Sequence, residues 1–343
     1  VNAHAEPQER PSAHVVREAD WGRAVELISG AREVALVCHV APDGDALGSM
    51  LGLGLALRRA GKQVVASFGD RRFAVPRLLG FLPGQDLLVE PGAYPSEPEL
   101  MISFDAPTVD RLGLLAPNAG KARELIVVDH HTSNTGFGSV QLVDDSAAST
   151  SMLVEQLMTR LGYEIDHDIA VGLYTGLVTD TGSFRHSSTT PAVHRMAARL
   201  VACGLRTDEI ARELWDRSPF AYLKVLGAAL SRVRLDQEAA GGLGMVWTYV
   251  PRADRAAHCL PYDECEGMID VVRRTDECDV AVVLKEDDDG AWQVSTRSKG
   301  KVDVGRACTA LGGGGHVRAA GFTSHASPEE TVARFRELLE PQA

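Results

Sequence analysis

Three short runs of strand-forming residues, EVALVC at Glu33–Cys38, LMISF at Leu100–Phe104 and ELIVV at 124–128, are each followed at once by an acid or an imidazole. Runs this short, mostly apolar and partly β-branched, suit strands that are covered on both faces. A fourth, QVVASF at Gln63–Phe68, fits the same description. Between the first and the fourth lies DALGSMLGLGLALRRAG, which opens at Asp45, carries arginines near its end and has Gly61 placed to close a helix. Strands alternating with helices in this way predict a parallel, doubly wound sheet. In such open sheets ligands gather outside the carboxyl ends of the strands. The residues at those ends are therefore the first candidates for chemistry.

Helix signals continue at 149–161, 169–178, 192–203 and 208–215. Strand signals return at 243–250, 279–286 and 292–297, with helix signals at 264–273 and 329–339. A chain of 343 residues, 45% hydrophobic and 24% charged, is folded and long enough for two cores. The expected architecture is α/β, a parallel-sheet N-terminal domain followed by a smaller α/β C-terminal domain. The divisions expected are a loose arm over 1–20, a catalytic domain over 21–205, a helical connector over 206–234 and a substrate-binding domain over 235–343.

The formal charge of −12 argues against a protein that coats long nucleic acid, because that affinity comes from Lys and Arg on phosphates. Short anionic ligands stay open, since cations held by carboxylates turn an acidic cleft into a phosphate site. The six cysteines form no CxxC pair and read as reduced thiols. Residues 1–18 show no signal-peptide pattern, and no apolar run approaches the roughly 18 residues of a membrane span. A cytoplasmic protein without membrane association is expected, and a homodimer by the prevalence of two-fold assemblies.

The candidate chemistry falls into four clusters. His39, Asp43 and Asp45 lie in HVAPDGDALGS, Asp105 follows LMISF, Asp129, His130 and His131 follow ELIVV, and Asp180 ends a predicted helix in LYTGLVTDTGSF. Each has an ordinary alternative: Asp45 as a helix N-cap, Asp43 and Asp105 as turn residues, Asp180 as a solvated acid. Together they hold too many donors for one tetrahedral zinc and suit two six-coordinate ions. Mixed carboxylate and imidazole donors favour manganese, with iron or cobalt as substitutes. Farther on, Gly312, Gly313, Gly314 and Gly315 precede His316, where backbone amides can approach a ligand. Arg297 in VSTRSKG and His316 are candidates for substrate phosphate, and His186 in FRHSS is a weaker one that also reads as a turn residue.

In order and spacing HxxPDGDALGS, the lone Asp105, DHH and TDTGSF resemble the motifs of the DHH phosphoesterase family. LGGGGHVRAAGF at 311–322 resembles the glycine-rich motif of its companion DHHA1 domain. The resemblance implies one metal on His39, Asp43 and Asp105 and a second on Asp45, Asp105, His130 and Asp180, with Asp105 shared. It places His131 against the scissile phosphate and Asp129 behind it. The activity it implies is hydrolysis of short nucleotides to mononucleotides by a water activated between two metals, with cyclic di-AMP or pApA leading and nanoRNA included. The alternatives are a 3'-phosphatase on adenosine 3',5'-bisphosphate and a dinucleotide sensor without chemistry.

Overall fold

The structure, a computed structural model, describes residues 15–339. The chain divides into two compact units, Val1–Arg217 and Ser218–Ala343. The division falls inside the stretch expected as a helical connector. Of the expected arm, residues 1–14 lie outside the described residues, while Glu18 to Asp20 form the first turn of a helix.

In the first unit five strands make one sheet: β1 (Glu33–Cys38), β2 (Gln63–Phe68), β3 (Leu100–Phe104), β4 (Glu124–Asp129) and β5 (Val140–Val143). The order is β2-β1-β3-β4-β5 and every pairing is parallel. The helices are α1 (Glu18–Gly30), α2 (Gly44–Arg59), α3 (Ala116–Lys121), α4 (Thr150–Leu161), α5 (His167–Asp180), α6 (Pro191–Val201) and α7 (Thr207–Trp215). The expected parallel α/β sheet is present, and β5 and α1 are additions to the sequence reading. Leu36, Ile102, Ile126 and Val128 point into the core shared with α2, α4 and α5, while Val37, Met101 and Val127 point to the opposite layer with Leu112 and Leu115. This two-sided burial is why the strands read as near-continuous apolar runs.

β1 has β2 on one side and β3 on the other, so the sheet order reverses between β1 and β3 and leaves a crevice at their carboxyl ends. α2 and α5 pack together very closely over this end. A Cβ at Gly48 would sit 2.2 Å from the carbonyl oxygen of Gly172, and one at Gly176 2.5 Å from Asp45 Oδ1. Only glycine permits that approach, and it sets the end of α5, with Asp180, beside the start of α2, with Asp45.

The second unit holds α8 (Phe220–Ser231), β6 (Arg234–Asp236), α9 (Ala239–Gly242), β7 (Met245–Val250), α10 (Arg252–Ala257), α11 (Met268–Val272), β8 (Val280–Glu286), β9 (Trp292–Ser298), α12 (Val304–Ala310), β10 (Gly314–His316), β11 (Ala319–Ser324) and α13 (Pro328–Glu337). Its sheet runs β10-β11-β9-β8-β7-β6, with β7 and β8 parallel and the other neighbours antiparallel. One face carries Val282, Leu284, Val294 and Phe322 against α12 and α13; the other carries Val246, Ala281 and Val283 against α8 and α11. Among the described residues no helix is long and apolar enough to cross a membrane.

Candidate metal centre

The crevice between β1 and β3 gathers all four clusters. His39 follows β1 and is buried. Its Nδ1 lies 2.8 Å from the Val40 carbonyl, which directs Nε2 toward Asp43 at 3.8 Å and Asp105 at 3.5 Å. Asp43 is the N-cap of α2, and its Oδ1 accepts from the amides of Asp45 and Ala46 at 3.0 Å. The capping role expected of Asp45 thus belongs to Asp43, which caps the helix while it faces His39.

Asp45 is fully buried and aims at another helix. Its carboxylate accepts the backbone amides of Thr150 and Ser151 at the start of α4 and the Ser49 hydroxyl. Asp105 holds φ +57° directly after β3, a left-handed backbone that Asp tolerates better than most residues. The turn sends one oxygen each way, Oδ2 to His39 and Oδ1 to His130 at 3.5 Å, with Oδ1 also accepting the Thr150 hydroxyl at 3.0 Å.

His130 lies past the end of β4. Its Nε2 is 3.0 Å from Asp180, 3.5 Å from Asp105 and 3.9 Å from Asp45, and its Nδ1 is 3.3 Å from the Ala147 carbonyl. His131 turns its Nδ1 to Asp129 at 2.7 Å, and the second oxygen of Asp129 accepts from Asn134 at 2.6 Å. Among the described residues three donor groups emerge, the ligand atoms of each lying within 4.8 Å of one another: His39, Asp43 and Asp105; Asp45, His130 and Asp180; Asp105, His130 and His131.

The electrostatics show a surplus of negative charge. Burial first, then the charges of Asp105 and Asp180, raise the Asp45 pKa well above the carboxylate range. Burial also raises Asp180, to about 6, against the lowering effect of His130. The imidazoles respond in the opposite sense: burial would lower His39 and His130, but hydrogen bonds to Asp105 and Asp43, and to Asp180, raise both well above the usual value. Asp105 stays depressed despite its burial because three imidazoles face it. Buried acids forced upward in pKa are the signature of a site short of positive charge. Divalent cations fit that deficit, and the oxygen and imidazole donors suit them.

The profile described as DHH family, N-terminal domain, matches residues 33–177, and the DHHA1 domain matches residues 257–342. A relative from Thermus thermophilus, named bifunctional oligoribonuclease and PAP phosphatase NrnA, is 35% identical over 84% of this chain and 83% of its own. The chain belongs to the DHH family. A second DHH relative of the same name, from Bacillus subtilis, is 27% identical over 89% of this chain and 93% of its own. Among solved structures an exopolyphosphatase-related protein from Bacteroides fragilis superposes with a TM-score of 0.86 at 25% identity, covering 94% of this chain and 96% of that one. This DHH protein is a phosphoesterase hydrolase that carries both a DHH and a DHHA1 domain.

In the DHHA1 domain the glycine run is part of a hairpin, since Gly314 to His316 form β10 paired with β11. Gly312 has φ +82°, Gly315 has φ +136°, and a Cβ at Gly313 would meet the Gly321 carbonyl oxygen at 2.1 Å. Three of the four glycines are thus required by the hairpin itself. Only Gly314 combines an ordinary φ with open space where a Cβ would go. Arg297 is half-buried on β9 and donates to the Thr296 carbonyl. Burial lowers its pKa against the pull of Asp270. His316 is exposed in β10. In the first unit His186 lays Nδ1 3.1 Å from the Asp180 carbonyl and packs over Gly182, so it braces the turn behind Asp180.

Sequence reasoning passed over Thr150, Asn134 and Arg111. Thr150 serves both Asp45 and Asp105; its signal was the Ser/Thr cluster opening a predicted helix. Asn134 fixes Asp129 from the loop after DHH. Arg111 brings Nη2 to 3.2 Å from His39 Nδ1, and no local pattern announces it.

Proposed function

We propose that the chain cleaves short nucleotides with two divalent ions, manganese foremost, hydrolysing linear oligoribonucleotides such as pApA and nanoRNA and removing the 3'-phosphate of adenosine 3',5'-bisphosphate. The observation that carries this reading is Asp105, whose Oδ2 faces His39 and whose Oδ1 faces His130, a residue that shares a donor group with it and also belongs to the group of Asp45 and Asp180. His39, Asp43 and Asp105 hold one ion; Asp45, Asp105, His130 and Asp180 hold the other. Ions in such a pair neutralise phosphoryl oxygens and lower the pKa of water toward neutrality. The names of the Thermus and Bacillus relatives support both substrate classes.

The chain's own residues supply the rest. Asp129 accepts the Nδ1 proton of His131 and fixes the ring so that Nε2 is the working atom. From there His131 donates a proton or a hydrogen bond to the departing oxygen. Asn134 holds Asp129 from behind. In the second unit Arg297, His316 and the amides of Gly312 to Gly315 take the substrate phosphate, Arg297 with a fork of donors that matches it.

The test is a substrate panel on one preparation: pApA, 5'-phosphorylated RNA of two to five nucleotides, cyclic di-AMP and adenosine 3',5'-bisphosphate, each with manganese and after EDTA. AMP released only in the metal-loaded arm from the linear nucleotides and the bisphosphate is the expected result. Equal turnover after stripping, or stoichiometric binding without product, overturns the proposal. The variant His131→Ala is expected to keep its metal by elemental analysis and to lose turnover by about 10²-fold or more.

A further inference from the structure

The sheet of the second unit has a polar trench on one face. Gln293, Ser295 and Arg297 alternate onto that face of β9, away from Val294, which joins the core on the other. Register brings Lys285 of β8 and Thr323 of β11 beside Gln293, and Gly321 beside Ser295. Gly321 lies beside Ser295, where a Cβ would meet the Val294 carbonyl oxygen at 2.7 Å, so the strands approach closely and the floor is bare backbone at this point. Over this floor lies an open cavity of about 360 Å³, lined also by Tyr262, Glu266, Gly312 and Gly313. That volume lies within the usual span of small-ligand clefts, about 300 to 1,000 Å³.

The chemistry of the walls is specific. Lys285 is only 2% exposed; its ammonium lies 2.5 Å from Glu266 and 5.5 Å from the Tyr262 ring centroid. A buried cation of this kind anchors the otherwise exposed Glu266, making it a fixed acceptor. Thr323 donates to Gln293, which donates in turn to Asp287, so the amide is also fixed. A carboxylate repels phosphate and accepts from paired hydroxyls, as acidic residues do from the ribose of dinucleotides. The Tyr262 ring beside it, held by Arg255 at 5.4 Å and Lys285 at 5.5 Å from its centroid, lines the cavity and presents an aromatic contact to a base. The occupant this combination selects is a ribonucleoside.

We propose that this cavity is a subsite for the ribonucleoside that follows the phosphate held at Arg297, with Glu266 accepting from the ribose hydroxyls and Tyr262 contacting the base. The inference rests on the functional reading above and deepens it. Ser295 stands one alternate position from Arg297 on the same strand face, about 7 Å away, comparable to one nucleotide step along an extended strand. In adenosine 3',5'-bisphosphate the one nucleoside lies between the phosphate to be cleaved and the phosphate at Arg297, so nothing is left to enter the cavity, whereas a triribonucleotide carries a further nucleoside beyond that second phosphate. The 2'-hydroxyl becomes the feature by which RNA is told from DNA.

The experiment compares the native chain with Glu266→Gln and Tyr262→Leu on a 5'-phosphorylated triribonucleotide, its 2'-deoxy counterpart and adenosine 3',5'-bisphosphate, with bound manganese and melting temperature recorded. The ratio of kcat/KM for the triribonucleotide to that for the bisphosphate is expected to fall at least tenfold, mainly through KM. In Glu266→Gln the ribo-to-deoxy preference should narrow at least fivefold. Should Glu266→Gln fail to fold, Thr323→Val at an exposed strand position carries the comparison. Equal losses on all three substrates, or an unchanged ribo-to-deoxy preference, overturn the subsite while leaving the functional reading standing. A native chain that hydrolyses none of the substrates with manganese brings down both.

Discussion

Asp129 is a member of none of the three donor groups at the centre, yet both of its oxygens are committed, one to His131 and one to Asn134. Carboxylates placed behind a working imidazole typically matter by about 10- to 100-fold. Asp129→Asn is therefore expected to lower kcat by that factor while elemental analysis finds the metal unchanged; loss of metal would assign Asp129 to the ligands instead. A second prediction concerns protons. With the ions stripped, raised values at His39, His130 and Asp180 favour the protonated forms in the folded state. For a histidine raised above its unfolded value of about 6.5, the stabilisation is complete below that value and is lost as pH rises through the folded pKa. Asp180, raised to about 6, becomes a cost as pH climbs from its unfolded value toward 6. The metal-free protein is thus expected to melt at lower temperature at pH 8 than at pH 6. Manganese must displace those protons, so its affinity should rise over the same interval and calorimetry in two buffers should detect proton release.

At the scale of elements, α2 and α5 meet backbone to backbone at Gly48 and Gly172. Gly48→Ala pushes a methyl carbon into a carbonyl oxygen that cannot swing aside, and overpacking of this kind costs about 1 to 3 kcal/mol. The melting temperature should fall, and manganese affinity with it, because Asp45 and Asp180 ride on these two helices. Gly314→Ala in the β10–β11 hairpin is the opposite case. A Cβ there meets nothing within 4 Å, so stability should hold within a few tenths of a kcal/mol in either direction. If a ligand approaches that backbone, KM for pApA rises all the same; an unchanged KM would assign the glycine run to hairpin packing alone. These elements also show what could be read in advance. β1, β3 and β4 were legible because burial on both faces leaves few residue choices, and the acids at their ends were legible because turn chemistry alone does not repeat after three strands. β5, β10 and β11 were not. β5 and β10 run only 4 and 3 residues, while β11, AAGFTS, lacks the β-branched run of β1, and the β10–β11 hairpin joins the sheet only through β9. The closeness of α2 to α5 was written in the glycines of GDALGSMLG and VGLYTG, but a glycine in a helix reads as weakness until its partner is known.

The whole molecule contains two separately cored units and carries a charge of −12. Acids outnumber bases, 47 Asp and Glu against 35 Lys and Arg, so affinity for short RNA should depend only shallowly on salt. A slope of log Kd against log salt corresponding to about one to three phosphate contacts is expected, and a steep slope would reveal a basic surface that the composition does not suggest.

The carboxylate of Asp45 reaches across 105 residues of sequence to close the first turn of α4, whose own leading serine, Ser149, offers no side-chain cap. Removing such a cap costs about 0.5 to 2 kcal/mol. Chemistry and architecture therefore share one atom pair here. A lineage drifting toward inactivity by losing this acid would be penalised in folding before any loss of turnover was felt, which makes the reactive centre hard to abandon piecemeal.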